Sequence, residues 1–205
     1  MRRMLAAIGA MALAGCAMLT AERPLLAPGD QDAAFALAEG LWAHREDDCT
    51  DDPAAKAPDE ESCIDWVRVA RESDGAWRIE AVGEDDPPMR LVVIPAVRTA
   101  EGRLAPLYVA EATSVKDPAP AYALIVPRGD LQSPVRRVAF DAISCFDLLR
   151  DGEPPDIVFN RDGDRLVGCT AKTMAAVQDA ARRAVIETLD DLGDEELAFV
   201  RAGPE

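Results

Sequence analysis

Alternating hydrophobic and polar residues over much of the chain predict short antiparallel strands. The period of two begins at Ile64 and recurs in short runs, separated by turns such as Ser73-Asp74-Gly75 that contain Gly and Asp. The strands predicted in this way are 64–69, 77–81, 91–95, 104–110, 121–127, 135–143, 157–159 and 165–167, with 197–200 as a further edge strand. This spacing favours one antiparallel meander that closes on itself or folds over a helix.

Two other segments have the spacing of three and four residues that is typical of an amphipathic helix. The first follows Asp30 as N-cap, and its apolar face consists of Phe35, Ala38, Leu41 and Trp42. The second is longer, with an apolar stripe from Met174 to Leu189 between a Thr170 N-cap and a Gly193 C-cap. We therefore predict one α+β domain over residues 31–205. It is expected to be an antiparallel sheet of about seven to eight strands, possibly barrel-like, with an N-terminal and a longer C-terminal helix packed on it.

The first residues of the chain have a different pattern. Met1-Arg2-Arg3 is a short basic region, residues 4–13 are uninterrupted apolar and small residues, and Leu13-Ala14-Gly15-Cys16 ends this segment. A basic start, a short apolar run and small residues at a cleavage site are typical of an export signal. The run is about half of the ~20 residues that a membrane-spanning helix needs, so we expect a removable signal.

Leu13-Ala14-Gly15-Cys16 resembles the lipobox of bacterial lipoproteins, which has Leu three residues before an invariant Cys. The resemblance implies that residues 1–15 are a signal peptide, that diacylglycerol is attached to the Cys16 thiol, and that added acyl chains such as palmitate hold the protein to a membrane. Ala17 replaces the Asp that signals inner-membrane retention in this family, which implies the outer membrane, facing the periplasm. The alternatives are an ordinary secretory signal and a cytosolic helix with a chance cysteine.

The mature chain also resembles lipoproteins of alphaproteobacteria, in its cysteine pairs, its Trp-bearing strands and the Gly168-Cys169-Thr170 start of its last helix. This resemblance implies no activity. Residues 16–30 are then the lipidated N-terminus and a tether, because residues 17–30 contain two Pro and one Gly. A tether of this length would keep the domain close to the membrane surface.

Four cysteines remain if Cys16 carries lipid. An even number of cysteines in an exported chain indicates two disulfides, for which three pairings exist. Sequence order favours the pairs Cys49–Cys63 and Cys145–Cys169. A metal site or a redox pair is the alternative, but no two of the four have CxxC spacing. We therefore predict structural disulfides, with no bound metal and no cofactor.

The charge balance limits the partners that the chain can bind. Removal of Arg2 and Arg3 with the signal lowers the formal net charge from −16 to −18. A field of this sign repels phosphate backbones and anionic lipid surfaces, so nucleic acid is not expected as a partner.

Few residues suggest catalysis. His44 is the one imidazole, so any Ser-His or Cys-His mechanism must use it, and no serine lies in a Gly-x-Ser-x-Gly elbow. The segment from Asn160 to Asp164 begins like a calcium loop, but the required Gly and Glu are replaced by Arg165 and Ala171. Glycoside hydrolysis needs a pair of carboxylates, and nothing in the sequence identifies two such residues among the many acidic ones. We predict that the protein is not an enzyme.

Three function classes follow from these patterns. The first is a lipid-anchored envelope lipoprotein that is a structural or interaction module, with a possible envelope protein as partner. The second is lipocalin-like binding of a small apolar ligand, because Trp42, Trp66 and Trp77 lie on apolar faces and could line a closed sheet. The third is an envelope hydrolase, because such enzymes are often tethered in this way.

Overall fold

A computed structural model describes residues 17–27, 29–45, 49–58, 60, 62–95, 107–116, 119–128, 133–150, 152–188 and 196–201. Cys16 and the predicted signal peptide lie outside these residues, as does the Gly193 C-cap that the sequence suggests for the last helix. The statements below concern the described part of the chain.

Within these residues the chain forms eleven strands and two helices. They are β1 (Leu19–Thr20), β2 (Gly40–Arg45), β3 (Ile64–Arg71), β4 (Trp77–Ala81), β5 (Met89–Pro95), β6 (Tyr108–Ser114), β7 (Ala121–Pro127), β8 (Arg137–Ala142), α1 (Cys145–Leu149), β9 (Ile157–Asp162), β10 (Arg165–Ala171), α2 (Met174–Thr188) and β11 (Glu196–Arg201). The strands predicted from Ile64 onward are found, with shifts at their ends. Residues 104–106 of the predicted strand 104–110 lie outside the described residues, and β6 runs on to Ser114.

Eight of the strands close into an antiparallel barrel. Their order is β6-β5-β4-β3-β2-β11-β8-β7, and a β6–β7 pairing joins the two ends. The expectation of a barrel-like antiparallel sheet is therefore confirmed. β11 was expected at an edge, but it pairs with β2 on one side and β8 on the other. This position is favourable because the N–H and C=O groups on both of its sides are then paired.

The other three strands extend the sheet outside the barrel, in the order β7-β1-β10-β9. β1 is antiparallel to β7, where Thr20 pairs with Ala121, and parallel to β10, where Leu19 pairs with Cys169. The extension lies over the outer wall of the barrel, and an outer core of apolar side chains fills the space between them.

The predicted N-terminal helix is wrong. Residues 31–39 form an irregular segment, whose first residues are hydrogen-bonded to β5 and whose later residues, Ala36 and Ala38, are hydrogen-bonded to Val135 before β8. The N–H of Val93 donates to the side chain of Gln31 at 2.8 Å, and the N–H of Asp32 donates to the carbonyl of Val93 at 2.9 Å. β4 pairs with β5 only as far as Leu91, so Val93 needs partners on that side. These non-local bonds outweigh the local helical spacing.

The same segment packs into one end of the barrel, where β5 ends and β6 begins. Phe35 and Leu37 are 1% and 3% exposed and belong to the inner core. The ring of Phe35 lies 4.5 Å from that of Tyr108, centroid to centroid. The apolar residues that suggested a helix face therefore fill the end of the barrel.

The C-terminal helix also differs from the prediction. α2 begins at Met174, and the predicted N-cap Thr170 lies in β10 instead. Near the start of the helix, the hydroxyl of Thr173 accepts from the N–H of Ala176 at 3.2 Å. Its buried residues pack in the outer core beside α1 and β10. Both helices are short, and α2 is not the longer helix across the sheet that was expected. In the described part of the chain, no helix has the length and apolarity to cross a membrane.

The predicted tether is also wrong where the structure describes it. Residues 17–27 pack on the domain, and Ala17, Leu19 and Ala21 are 1%, 0% and 2% exposed. The composition of this segment suggested a linker, but its Leu and Ala side chains are buried in the outer core. Ala17, the residue directly after Cys16, therefore belongs to the folded domain and not to a linker.

Two disulfides are present, in the pairs that sequence order predicts. Cys49 is bonded to Cys63 and Cys145 to Cys169, with Cα–Cα distances of 5.6 and 5.7 Å. The first pair lies near the surface, whereas Cys145 and Cys169 are both 0% exposed in the outer core. The second disulfide joins the start of α1 to β10 and so holds the extension against the barrel.

Glu111 is a buried carboxylate in the outer core, and only 2% of its surface is exposed. Its Oε2 atom accepts from the N–H groups of Leu25 and Leu26 at 2.7 and 3.1 Å and from the hydroxyl of Tyr122 at 2.8 Å. Burial and the neighbouring carboxylate raise the pKa of Tyr122 well above its usual value. These three bonds satisfy the Oε2 atom of the buried carboxylate, and the two from Leu25 and Leu26 fix the N-terminal segment to the barrel wall.

We expect Glu111→Gln to lower the free energy of unfolding by about 1–3 kcal/mol, because the amide presents N–H donors to a site that supplies donors already. Urea denaturation of the purified mature domain measures the change. Glu80→Gln is the matched control, since Glu80 is half-exposed and pairs with Arg78 at 3.2 Å; it should change stability by less than about 0.5 kcal/mol. Equal effects of the two substitutions would contradict the assigned role of Glu111.

Removing the buried disulfide with Cys145→Ala and Cys169→Ala should lower the free energy of unfolding by about 3–4 kcal/mol. The Cys49–Cys63 disulfide closes a shorter loop, with a sequence separation of 14 against 24. Its removal in the double variant Cys49→Ala and Cys63→Ala should therefore lower the free energy of unfolding by less. Denaturation curves of both double variants, recorded together, test this order. A larger loss of unfolding free energy on removal of Cys49–Cys63 than on removal of Cys145–Cys169 would contradict this order. The outer core would then not depend on the buried disulfide.

Candidate functional site

The start of the described chain is held by both halves of the buried disulfide. The N–H of Cys145 donates to the carbonyl of Ala17 at 2.7 Å, and the N–H of Cys169 donates to the carbonyl of Met18 at 3.4 Å. The hydroxyl of Thr20 donates to the carbonyl of Cys169 at 3.1 Å. The segment that follows Cys16 is thus an integral strand of the domain.

This arrangement fixes the place where a group on Cys16 would emerge. Adjacent Cα atoms across a trans peptide are about 3.8 Å apart, and Ala17 is 1% exposed. Cys16 itself lies outside the described residues, but its attachment point does not. The surface next to Ala17, Met18 and α1 is therefore the first candidate for a functional surface.

The half-buried Cys49–Cys63 disulfide lies in a loop that also carries acidic side chains. The ligand atoms of Cys49, Asp51 and Cys63 lie within 4.8 Å of one another, a spacing that could suit a metal ion. Metal binding by cysteine requires a thiolate, whereas these two sulfurs are bonded to each other. Lys56 also lies 3.9 Å from the Asp51 carboxylate. With the disulfide formed, this group is not a metal site.

A small cavity lies beside Trp66, near the same loop. Its volume is about 80 Å³, and its lining residues are Pro58, Ile64, Asp65, Trp66, Val67, Ala81, Val82 and Glu84. The indole N–H of Trp66 is buried and has no acceptor. Pockets for small organic ligands usually hold about 300–1,000 Å³, so this cavity fits only a few small atoms or waters.

Large side chains occupy the interior of the barrel. Trp42 and Trp77 are each 1% exposed and belong to the inner core, whereas Trp66 packs on the outer wall. The indole N–H of Trp42 donates to the carbonyl of Ala38 at 2.8 Å, while that of Trp77 has no acceptor. Two of the three tryptophans therefore lie in the barrel, as the sequence suggested, but as packed core side chains.

His44 was expected at the end of a helix, but it lies in β2. It is half-buried and pairs in register with Asp65 of β3. Serines have local structural roles: the Ser62 hydroxyl accepts from the N–H of Ile64 at 3.4 Å, and the Ser144 hydroxyl accepts from the N–H of Phe146 at the start of α1.

The segment that resembles the start of a calcium loop is a hairpin. Asp162 ends β9, Gly163 has a φ of 59°, and Arg165 opens β10 opposite Asp162. The side-chain amide of Asn160 donates to the hydroxyl of Thr170 at 3.0 Å. These side chains are placed by the β9–β10 pairing, and the Asp-Gly turn explains their sequence.

The sequence analysis did not identify Glu111 or helix α1. The available signal for Glu111 was an acidic residue within the apolar strand Tyr108-Val109-Ala110-Glu111-Ala112, because a carboxylate at such a position needs buried donors. α1 has five residues, which is too few for a helical period to show.

Comparison with known proteins adds no further assignment at this point. No family model, no curated protein and no solved structure matches the chain. The candidate sites therefore stand on their own geometry: an N-terminal strand held by a disulfide, a small cavity beside Trp66, and a packed barrel.

Proposed function

We infer that the chain is a lipoprotein of the cell envelope, anchored by lipid on Cys16, and that its domain acts without catalysis as a structural or interaction module. Its partners are then the membrane, through the lipid, and another envelope component. Ala17 after the lipidated cysteine favours the periplasmic face of the outer membrane.

The partition of the cysteines carries this proposal. Four of the five cysteines are joined in the two disulfides, and the cysteine outside them is the one in the lipobox-like motif. A thioether to diacylglycerol requires a free thiol, and Cys16 is the cysteine that the motif designates. Disulfides are typical of an oxidising compartment outside the cytoplasm, which agrees with export by residues 1–15.

The absence of a catalytic role is part of the proposal, and two observations support it. His44 is a residue of strand β2, in register with Asp65 of β3, and the hydroxyls of Ser62 and Ser144 are engaged as acceptors of local backbone N–H groups. A reaction of a defined substrate that is lost on substitution of one residue would overturn this part of the proposal.

We expect Cys16→Ser to release the protein from membranes, because two or three acyl chains hold a protein stably and a serine hydroxyl is not lipidated. The full-length chain, expressed with its signal in a Gram-negative host, is fractionated and its intact mass is measured. The unsubstituted protein should carry the mass of a diacylglyceryl group on its first residue and sediment with membranes. Cys16→Ser should lack that mass and should not partition with lipid.

The matched control is the double variant Cys49→Ser and Cys63→Ser, which removes two other cysteines and leaves the motif intact. It should still carry lipid and sediment with membranes. An unchanged mass and distribution of the Cys16→Ser protein would disprove the lipid anchor.

Lipocalin-like ligand binding is the alternative, and the closed barrel of eight strands agrees with it in general kind. The packed interior weighs against a ligand inside, since Phe35, Trp42 and Trp77 are each 1% exposed and belong to one core. The cavity beside Trp66 lies outside this core and is small.

We expect the mature domain to show no saturable binding of N-phenyl-1-naphthylamine, a neutral apolar dye whose fluorescence rises in apolar sites. Phe35→Ala opens space at the end of the barrel, and its dye binding is compared with that of the unsubstituted domain. Thermal melting checks that this variant is folded. Saturable one-to-one binding by the unsubstituted domain would establish the alternative.

A further inference from the structure

Four large apolar side chains are exposed in the described part of the chain: Val115 at 88%, Phe146 at 53%, Val158 at 44% and Val167 at 50%. Scattered exposed apolar residues are ordinary on a protein surface. Two of these four, however, lie on elements that contact the first residues after Cys16. Their position beside the start of the chain, and not their exposure alone, makes them candidates for a functional surface.

Phe146 lies on one side of the start of the chain. It follows Cys145, whose N–H donates to the carbonyl of Ala17 at 2.7 Å. Ser144, the residue before that cysteine, forms a bridge with Met18. Phe146 therefore lies on α1, the helix whose first residue is hydrogen-bonded to Ala17, the residue next to Cys16.

Val167 lies on the other side. Leu19 pairs with Cys169 in the parallel β1–β10 register, and the N–H of Cys169 donates to the carbonyl of Met18 at 3.4 Å, so Val167 lies on β10 two residues before the contact with the start of the chain. The β9–β10 register shifts between Leu166 and Gly168, and such a bulge redirects side chains. Val167 is half-exposed there, although the residue before it is 5% exposed.

The chain between the lipid and the domain has no slack. Ala17 is 1% exposed and hydrogen-bonded to α1, so the Cα of Cys16 lies about 3.8 Å from a residue of the core. Acyl chains on Cys16 would enter the bilayer. The surface around residue 17 must then lie at the level of the lipid headgroups.

We propose that Phe146 and Val167 form a membrane-docking surface that enters the headgroup region of the bilayer on either side of the lipidated Cys16. This inference rests on the proposed lipid anchor and adds the orientation of the domain: the extension faces the membrane, and the opposite wall of the barrel, at β3, faces away. Phe and aliphatic side chains are favoured at such an interface.

The charges next to this surface permit the contact. Asp147 and Arg150 lie in or beside α1, and Asp164 and Arg165 lie at the β9–β10 turn. Each apolar side chain thus has neighbours of both signs. The apolar side chains and the lipid, rather than charge attraction, hold the surface to the bilayer.

The test places a tryptophan at each docking position in the full, lipid-modified protein: Phe146→Trp and Val167→Trp. Arg68→Trp is the control, because Arg68 is exposed on β3, which lies four strands from β7 in either direction around the barrel. The natural tryptophans are at most 5% exposed and give a common background. Each protein is reconstituted in vesicles of phosphatidylethanolamine and phosphatidylglycerol, with and without brominated acyl chains.

We expect brominated lipid to quench the tryptophans at 146 and 167 several-fold more strongly than the tryptophan at 68. Aqueous iodide should show the reverse order. In the unsubstituted protein, hydrogen exchange of the peptide that spans 144–150 should slow on vesicles, which checks the result without a substitution.

Intact mass separates the two levels of failure. In the first case, Cys16 carries lipid, but iodide quenches the tryptophans at 146 and 167 as strongly as in the unlipidated domain without detergent. This result overturns the docking surface and leaves the lipid anchor in place. Cys16 without lipid overturns the proposed function and the docking surface with it.

Discussion

Closure of the barrel is the constraint on which the rest of the structure depends. An open sheet of eight strands would leave two edges with unpaired N–H and C=O groups, and here β11 pairs with both β2 and β8 while β6 pairs with β7. β11, the last strand along the described chain, thus completes a barrel whose first strand begins at Gly40. Such non-local pairing can form only when nearly the whole domain is present.

A closed barrel of this size has an inner and an outer surface, and the chain buries the inner one and part of the outer one. The inner core is packed with aromatic and aliphatic side chains. The outer core lies between β5–β8 and the β1-β10-β9 extension with its two helices. Glu111 and the Cys145–Cys169 bond belong to this outer layer. The N-terminal segment is therefore held by hydrogen bonds to a buried carboxylate and to a disulfide, and not by its own secondary structure.

Local patterns predicted the local structure. Alternation identified β3 to β10, because side chains on a strand alternate between buried and exposed faces whatever the partner is, and sequence order identified both disulfides. The failures occurred where the partner decides the structure. Residues 35–42 have helical spacing, but the open edge at Val93 and the open end of the barrel determine their conformation. β1 is only two residues long, and the contacts of Glu111 depend on residues far away in the chain, so neither leaves a periodic signal.

On the proposed route of export and lipid attachment, the place of β1 also sets an order of events. Its partners are Ala121 in β7 and Cys169 and Thr170 in β10, which leave a translocation channel long after the N-terminus does. Until they arrive, residues 17–20 have nothing to pair with, and the residue before them is accessible. An enzyme that acts on Cys16 therefore meets an extended chain if it works before β10 emerges. Once β1 has paired with β7 and β10, residues 17–20 are part of the folded domain, so the proposed modification of the residue before them competes with folding.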